Sequence, residues 1–98
     1  MDDTITTATT VVASQDQVFC DLAGEAAILN LKNSVYYGLD PVGARIWALV
    51  QEPVTVSSIR DVILREYDVE RHQCEHDLLD LLQKLAAQGL IAVKSAPA

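Results

Sequence analysis

The stretch Leu29–Trp47, LNLKNSVYYGLDPVGARIW, holds two short strand-like runs, a turn and a helix start. Leu29 and Leu31 stand two apart. Beyond Lys32-Asn33-Ser34, the residues Val35, Tyr37 and Leu39 repeat that spacing. A period of two on both sides of a polar triplet predicts strand, turn, strand, with Asn33 at the positive φ of a tight hairpin. Asp40 supplies a capping carboxylate, and Pro41 falls at the first helical position, where its missing N–H costs nothing. The stretch brings no nucleophile and no phosphate-binding loop. A small sheet feeding straight into a helix suggests a binding module.

Upstream, Gln17–Leu22 alternates Val18, Cys20 and Leu22 against Phe19 and Asp21, and Ala23-Gly24 turns the chain into a second strand, Glu25–Leu31. With Val35–Leu39 these make a three-stranded antiparallel meander, which buries a face only if something covers it. Three helices follow. Asp40–Val50 places Val42, Ile46, Trp47 and Val50 on one side. A second helix, capped by Thr55 or Ser57, runs to about Tyr67 with Val56, Ile59, Val62, Ile63 and Tyr67 inward. A third begins near Glu70, carries the stripe Cys74, Leu78, Leu81, Leu82, Leu85, and stops at Gly89, suited to the left-handed C′ position. The expected class is α+β, winged helix-turn-helix-like: a three-stranded antiparallel sheet followed by three helices. Residues 1–14, rich in Thr and Ala, are expected to be a flexible arm, with Val11-Val12 as its one point of attachment to the sheet. Residues 15–93 form the domain, and 94–98 a flexible tail.

Ninety-eight residues make one domain, and half of them are hydrophobic, enough for a single modest core. A formal charge of −7 opposes a nucleic-acid partner, which would need a basic face. No apolar run approaches the roughly 20 residues of a membrane span. Met1-Asp2-Asp3-Thr4 lacks the basic-then-apolar order of a secretory signal, so the cytoplasm is the expected location. Cys20 and Cys74 are too few for a disulfide framework and are expected as buried thiols.

One string has a catalytic look. His72-Gln73-Cys74-Glu75-His76 fits H-x-x-E-H, and histidines four apart share a helix face. A hydrolytic site needs a third ligand and a walled cleft, yet only 22 residues follow His76, and they are spent on a core helix and a tail. Cys74 points about 200° away from either histidine. Two solvated histidines are the expectation, with no metal and no cofactor. The winged-helix outline also raises DNA binding, but the helix that would enter the groove carries Glu70, Glu75, Asp77 and Asp80 against Arg71 and Lys84.

Tyr36-Tyr37-Gly38 carries more. Adjacent tyrosines on a strand face opposite ways, one to the core and one outward. The plain alternative is an edge tyrosine covering its own sheet. Gly38 leaves the backbone open to close approach, and the last strand of a meander is an edge that can template an incoming peptide. The run Tyr37-x-Leu39-Asp40-x-x-Gly43-Ala44-x-Ile46-Trp47, with Leu85-x-x-x-Gly89-Leu90-Ile91 later, resembles the PqqD-like family. These are the RiPP recognition elements, which deliver precursor peptides to modifying enzymes. The resemblance covers about residues 15–93. Asp40 stands where the family often has Asn, a mild departure because both cap helices.

The resemblance implies a leader peptide added as a strand beside the third strand, in the cleft between that strand and the third helix. By position, the strand residues are Val35, Tyr36, Tyr37, Gly38 and Leu39. On the helix, Asp77, Asp80, Leu81 and Lys84 make one ridge by their i, i+3, i+4, i+7 spacing. The opposite ridge of Leu79, Leu82 and Ala86 remains a second choice, since spacing does not say which flank meets the strand. Each helix residue taken singly also fits plain core or surface. The expected function is non-catalytic binding of a precursor leader peptide and its delivery to a leader peptidase or other modifying enzyme, in a lasso-peptide pathway. A PQQ-type module serving a radical-SAM enzyme is the alternative. The winged-helix regulator and the zinc hydrolase stand as alternatives of other classes. A homodimer through the strand edge is a further expectation.

Overall fold

Asp40 marks the point where a sheet gives way to helices. A computed structural model describes residues 5–15, 17–22 and 25–94. In chain order the elements are β1 (Thr10–Ala13), β2 (Gln17–Leu22), β3 (Glu25–Asn30), β4 (Val35–Leu39), α1 (Pro41–Leu49), β5 (Val54–Thr55), α2 (Val56–Glu66), α3 (Arg71–Ala87) and β6 (Ile91–Lys94). Strands β2-β3-β4 form the expected antiparallel meander, so β4 is an edge. The α+β class holds. The expected Ala23-Gly24 turn lies outside the described residues.

Local chemistry explains the boundaries. Asp40 Oδ1 accepts the Gly43 N–H at 2.7 Å, and Pro41 opens α1. At Gly43 a Cβ would stand 3.2 Å from both Asp40 Oδ1 and Leu39 Cδ2, so a larger residue would have to push these side chains back by a few tenths of an ångström. Thr55 Oγ1 caps α2 through the Ser58 N–H. Glu70 caps α3 by accepting from His72 and Gln73. At the far end Gly89 takes φ +73, with Gly89 N–H bonded to Ala86 O and Leu90 N–H to Leu85 O, the paired bonds of a Schellman stop. The β3–β4 hairpin departs from expectation in one detail: Ser34, not Asn33, adopts positive φ (59°). The loop has four residues, Ser34 N–H returns to Asn30 O, and the Asn33 side chain accepts from the Val35 N–H.

A second sheet, β5-β1-β6, was not expected. Here β1 is the central strand, and Val11 is fully buried. The chain from Ile5 to Ser14 is therefore no outlying arm. Ile5 is in the core, and backbone bonds tie Ala13 to Val50, Ser14 to Leu90 and Thr9 to Val56. All of β1's strand partners come at least 40 residues later in the chain, which is why local periodicity could not reveal them. Lys94, placed in the tail by sequence, ends β6, while residues 95–98 lie outside the described residues.

The core gathers Ile28 from the meander, Ile46, Trp47 and Val50 from the first helix and its cap, Ile59 and Ile63 from α2, and Leu78, Leu82 and Leu85 from α3. No helix among the described residues is long and apolar enough to cross a membrane.

Candidate functional site

Strand alternation divides the meander into two faces. The row Phe19–Ile28–Tyr37 looks toward the helices, since Ile28 is fully buried and Tyr37 half-buried. The rows Val18–Leu29–Tyr36 and Cys20–Ala27–Gly38 look away. Tyr36 is 58% exposed, so the two adjacent tyrosines part as their positions require.

Between β4 and α3 runs a cleft of about 410 Å³. One wall is β4, through Tyr37, Gly38 and Leu39, continued by the cap Asp40. The other is α3, through Gln73, Asp77, Asp80 and Leu81. Ile46, Ile63 and Leu78 form an apolar floor. A Cβ on Gly38 would meet nothing within 4 Å, so the strand backbone there is open to approach. Along β4, alternate residues turn N–H and C=O groups away from β3, the unpaired row of an edge strand.

Of the two ridges on α3, the one with Asp77, Asp80 and Leu81 faces this cleft. On the other, Leu82 is fully buried in the core and Leu79 packs against it. Tyr37, Gly38, Leu39, Asp77, Asp80 and Leu81 thus come together. Val35, Tyr36 and Lys84 do not line the cleft. Val35 lies at the start of β4, Tyr36 is on the outer face, and Lys84 Nζ pairs with Asp80 Oδ2 at 2.9 Å. That pair holds the Lys84 ammonium above its ordinary pKa.

Sequence reasoning missed the contribution of the first helix. Val42, Gly43 and Ile46 line the cleft, as do Val69, Gln73 and Cys74. The helical spacing places Val42 and Ile46 inward, but a core position and a cleft floor share one signal when the cleft opens onto the core. Cys74 is buried, and desolvation, with Asp77 and Glu75 nearby, pushes its thiol pKa up, so it is held as the neutral thiol.

The mouth of the cleft is acidic. Asp40 gives one oxygen to its cap, Asp77 Oδ1 accepts from Gln73 Nε2 at 2.8 Å, and Asp80 is paired with Lys84. His72 and His76 are both exposed on α3. Among the described residues no three His, Cys, Asp or Glu side chains stand together as a metal would require.

The site is thus an open strand edge beside an acidic-mouthed cleft. The profile of the family described as "Coenzyme PQQ synthesis protein D (PqqD)" matches residues 25–91. The chain belongs to the PqqD family. Among solved structures it is similar to "TbiB1 in Complex with the TbiA(beta) Leader Peptide", at 36% identity and a TM-score of 0.73, covering 89% of this chain and 99% of that one. It also shares the fold of "Lasso peptide synthetase B1 complexed with the leader peptide", at 18% identity and a TM-score of 0.73, covering 84% and 96%. No curated protein matches the chain. The PqqD match begins at Glu25, so β1 and β2 precede it, whereas the similarity to TbiB1 takes in most of the chain.

Proposed function

We propose that this PqqD-family protein binds the leader segment of a ribosomally made precursor peptide as an added strand along β4, and presents it to the enzyme that acts on it. The observation that carries this is the free β4 edge turned toward the cleft beside α3. Backbone pairing along the edge supplies affinity, and the cleft selects the side chains that alternate toward it. The peptide contacts proposed are the backbone of Val35, Tyr36, Tyr37, Gly38 and Leu39 along the edge and, on the helix, Asp77, Asp80 and Leu81 in the cleft, with Lys84 beside them through its pair with Asp80. The role is binding rather than catalysis, exercised in the cytoplasm.

Similarity to TbiB1 at 36% identity supports a stand-alone module of lasso-peptide maturation that serves a leader peptidase. The family description favours a second reading, a peptide chaperone for PQQ-type cofactor synthesis. Genes for a leader peptidase and a cyclase beside this one would favour the first, and a radical-SAM gene the second.

The receiving enzyme needs a surface of its own. The outer face of the meander offers one: Val18, Cys20, Ala27, Leu29, Tyr36 and Gly38 carry no charge, in a chain of net −7, and Val18 and Tyr36 on it are exposed. A peptide strand added to β4 would extend this face by one strand, so an enzyme seated there would touch carrier and cargo together.

Hydrogen exchange tests the binding mode, with the TbiA(β) leader peptide as probe. Protection should rise on alternate amides of Val35–Leu39. The opposite edge, β2, is equally unpaired in the sheet, so protection appearing there, or nowhere on the meander, would overturn the strand-addition reading.

A further inference from the structure

Asn30 is the one buried polar side chain among the described residues, 7% exposed in a core otherwise made of hydrophobic side chains. It sits at the end of β3, opposite Val35, where β4 begins. Both ends of its amide are engaged. Oδ1 accepts the Lys32 N–H at 2.9 Å within the hairpin loop, and Nδ2 donates to Gln88 O at 3.0 Å. Gln88 is the C-cap of α3, and its carbonyl lies beyond the helix's own ladder, among the groups that need an outside partner. The left-handed turn at Gly89 shapes this junction, and a Cβ on Gly89 would stand 3.9 Å from Asn30 Nδ2.

The position of this bond gives it a role. The cleft separates Tyr37–Leu39 of β4 from the Gln73–Leu81 part of α3. At the Leu39 end, the strand is joined to the helical layer through Asp40 and α1. At the Val35 end, the hairpin meets α3 through the Asn30–Gln88 bond. We propose that Asn30 is a positioning residue that ties the hairpin to the end of α3 beyond the cleft and so sets the gap between the β4 edge and α3, hence the width offered to a peptide. The proposal rests on the peptide-binding reading only for its consequence, since the clamp itself concerns the free protein.

Two substitutions separate the clamp from the loop. In Asn30→Ser the hydroxyl can still accept the Lys32 N–H but is too short to reach Gln88 O. In Asn30→Asp the size and the loop acceptor are kept, but a carboxylate that cannot donate faces the Gln88 carbonyl. Protonation would restore a donor, so this variant should move toward wild type as pH falls. Residual dipolar couplings of the β2–β4 and α3 amides report how the sheet sits against the helix in the full-length free protein. In wild type one alignment frame should fit both. In each variant the sheet couplings should shift or shrink relative to α3, and affinity for the TbiA(β) leader probe should fall about tenfold, the scale of one lost buried hydrogen bond.

A merely stabilising side chain would lower the melting temperature and leave the folded-state couplings in place. That result would overturn the clamp, as would failure of both variants to fold, because Asn30 would then serve the fold and not the gap. If wild type binds no probe while the variant couplings still change, the peptide reading falls and the clamp stands. If wild type binds and the variants bind equally with unchanged couplings, the clamp alone falls.

Discussion

Asp77 stands on the α3 wall with one oxygen held by Gln73 and its side chain exposed at the cleft mouth. Its neighbour Asp80 is neutralised by Lys84, so Asp77 is the less compensated charge on that wall. A docking peptide that brings a Lys, an Arg or backbone donors to this point gains from it. Asp77→Ala should weaken such a peptide by about two- to fivefold, the range for a rim charge, and should flatten the decline of association rate with salt. Leu82→Ala should behave differently: a loss of about 2–5 kcal/mol of stability from a cavity, with affinity kept while the variant is folded. Titration calorimetry and melting of the two variants check this; affinity lost only in Leu82→Ala would move the site to the other flank. Sequence spacing makes both ridges visible, because each follows a helical row, i, i+3, i+4, i+7 for the one with Asp77 and i, i+3, i+7 for the one with Leu79. The choice between them depended on how α3 rolls against the sheet, a tertiary fact that one helix does not encode. The tyrosine pair was legible for the opposite reason, since strand alternation fixes two opposed directions whatever the surroundings.

Helix ends were legible at the scale of elements because capping is local chemistry. Asp40, Thr55 and Gly89 do what their positions predict, and Glu70 does so through its side chain. The Glu70 carboxylate accepts the His72 N–H at 2.6 Å and the Gln73 N–H at 3.2 Å, and these bonds hold its pKa below the ordinary Glu value. A carboxylate depressed in the folded state adds stability above its unfolded pKa, near 4.3, and loses it as pH falls through the lower folded value. Glu70→Gln should therefore melt lower than wild type at neutral pH, with the gap closing as pH falls below the ordinary Glu range. Thermal melts across that range measure it, and a gap that stays constant would mean the cap acts without its charge. Because α3 is one wall of the cleft, acid should also fray the Gln73 end of the site first. The strand β1 was illegible by the same logic reversed. Thr10–Ala13 is rich in β-branched residues, but β5 and β6, which pair with it, come much later in the chain, so a real strand looked like an arm.

The whole molecule sets two kinds of surface almost at right angles in chemistry. The cleft mouth is acidic, while Val18, Cys20, Ala27, Leu29 and Tyr36 on the outer face of the meander are uncharged: Val18 is 43% exposed, Tyr36 58%, and Leu31 at the hairpin 57%. A chain with net −7 could have placed charge at these positions at little cost to folding, and on the proposed function they are where the processing enzyme seats. Val18 tests this cleanly. It lies on β2, two strands and thus about 10 Å from the β4 edge, and it is exposed enough that Val18→Asp should leave the fold within about 1 kcal/mol of wild type. Affinity for the TbiA(β) leader probe should change less than about twofold, because neither the edge nor the cleft is touched. Turnover of the carried precursor by its processing enzyme should fall about tenfold, since a carboxylate would be buried against an apolar partner surface. Salt separates the two surfaces further. Processing at saturating peptide should hardly respond to about 0.5 M salt if the enzyme seats on the uncharged face, whereas peptide association should slow. Should Val18→Asp process precursor at the wild-type rate, the outer face is not where the enzyme docks, and delivery must run through the helices instead.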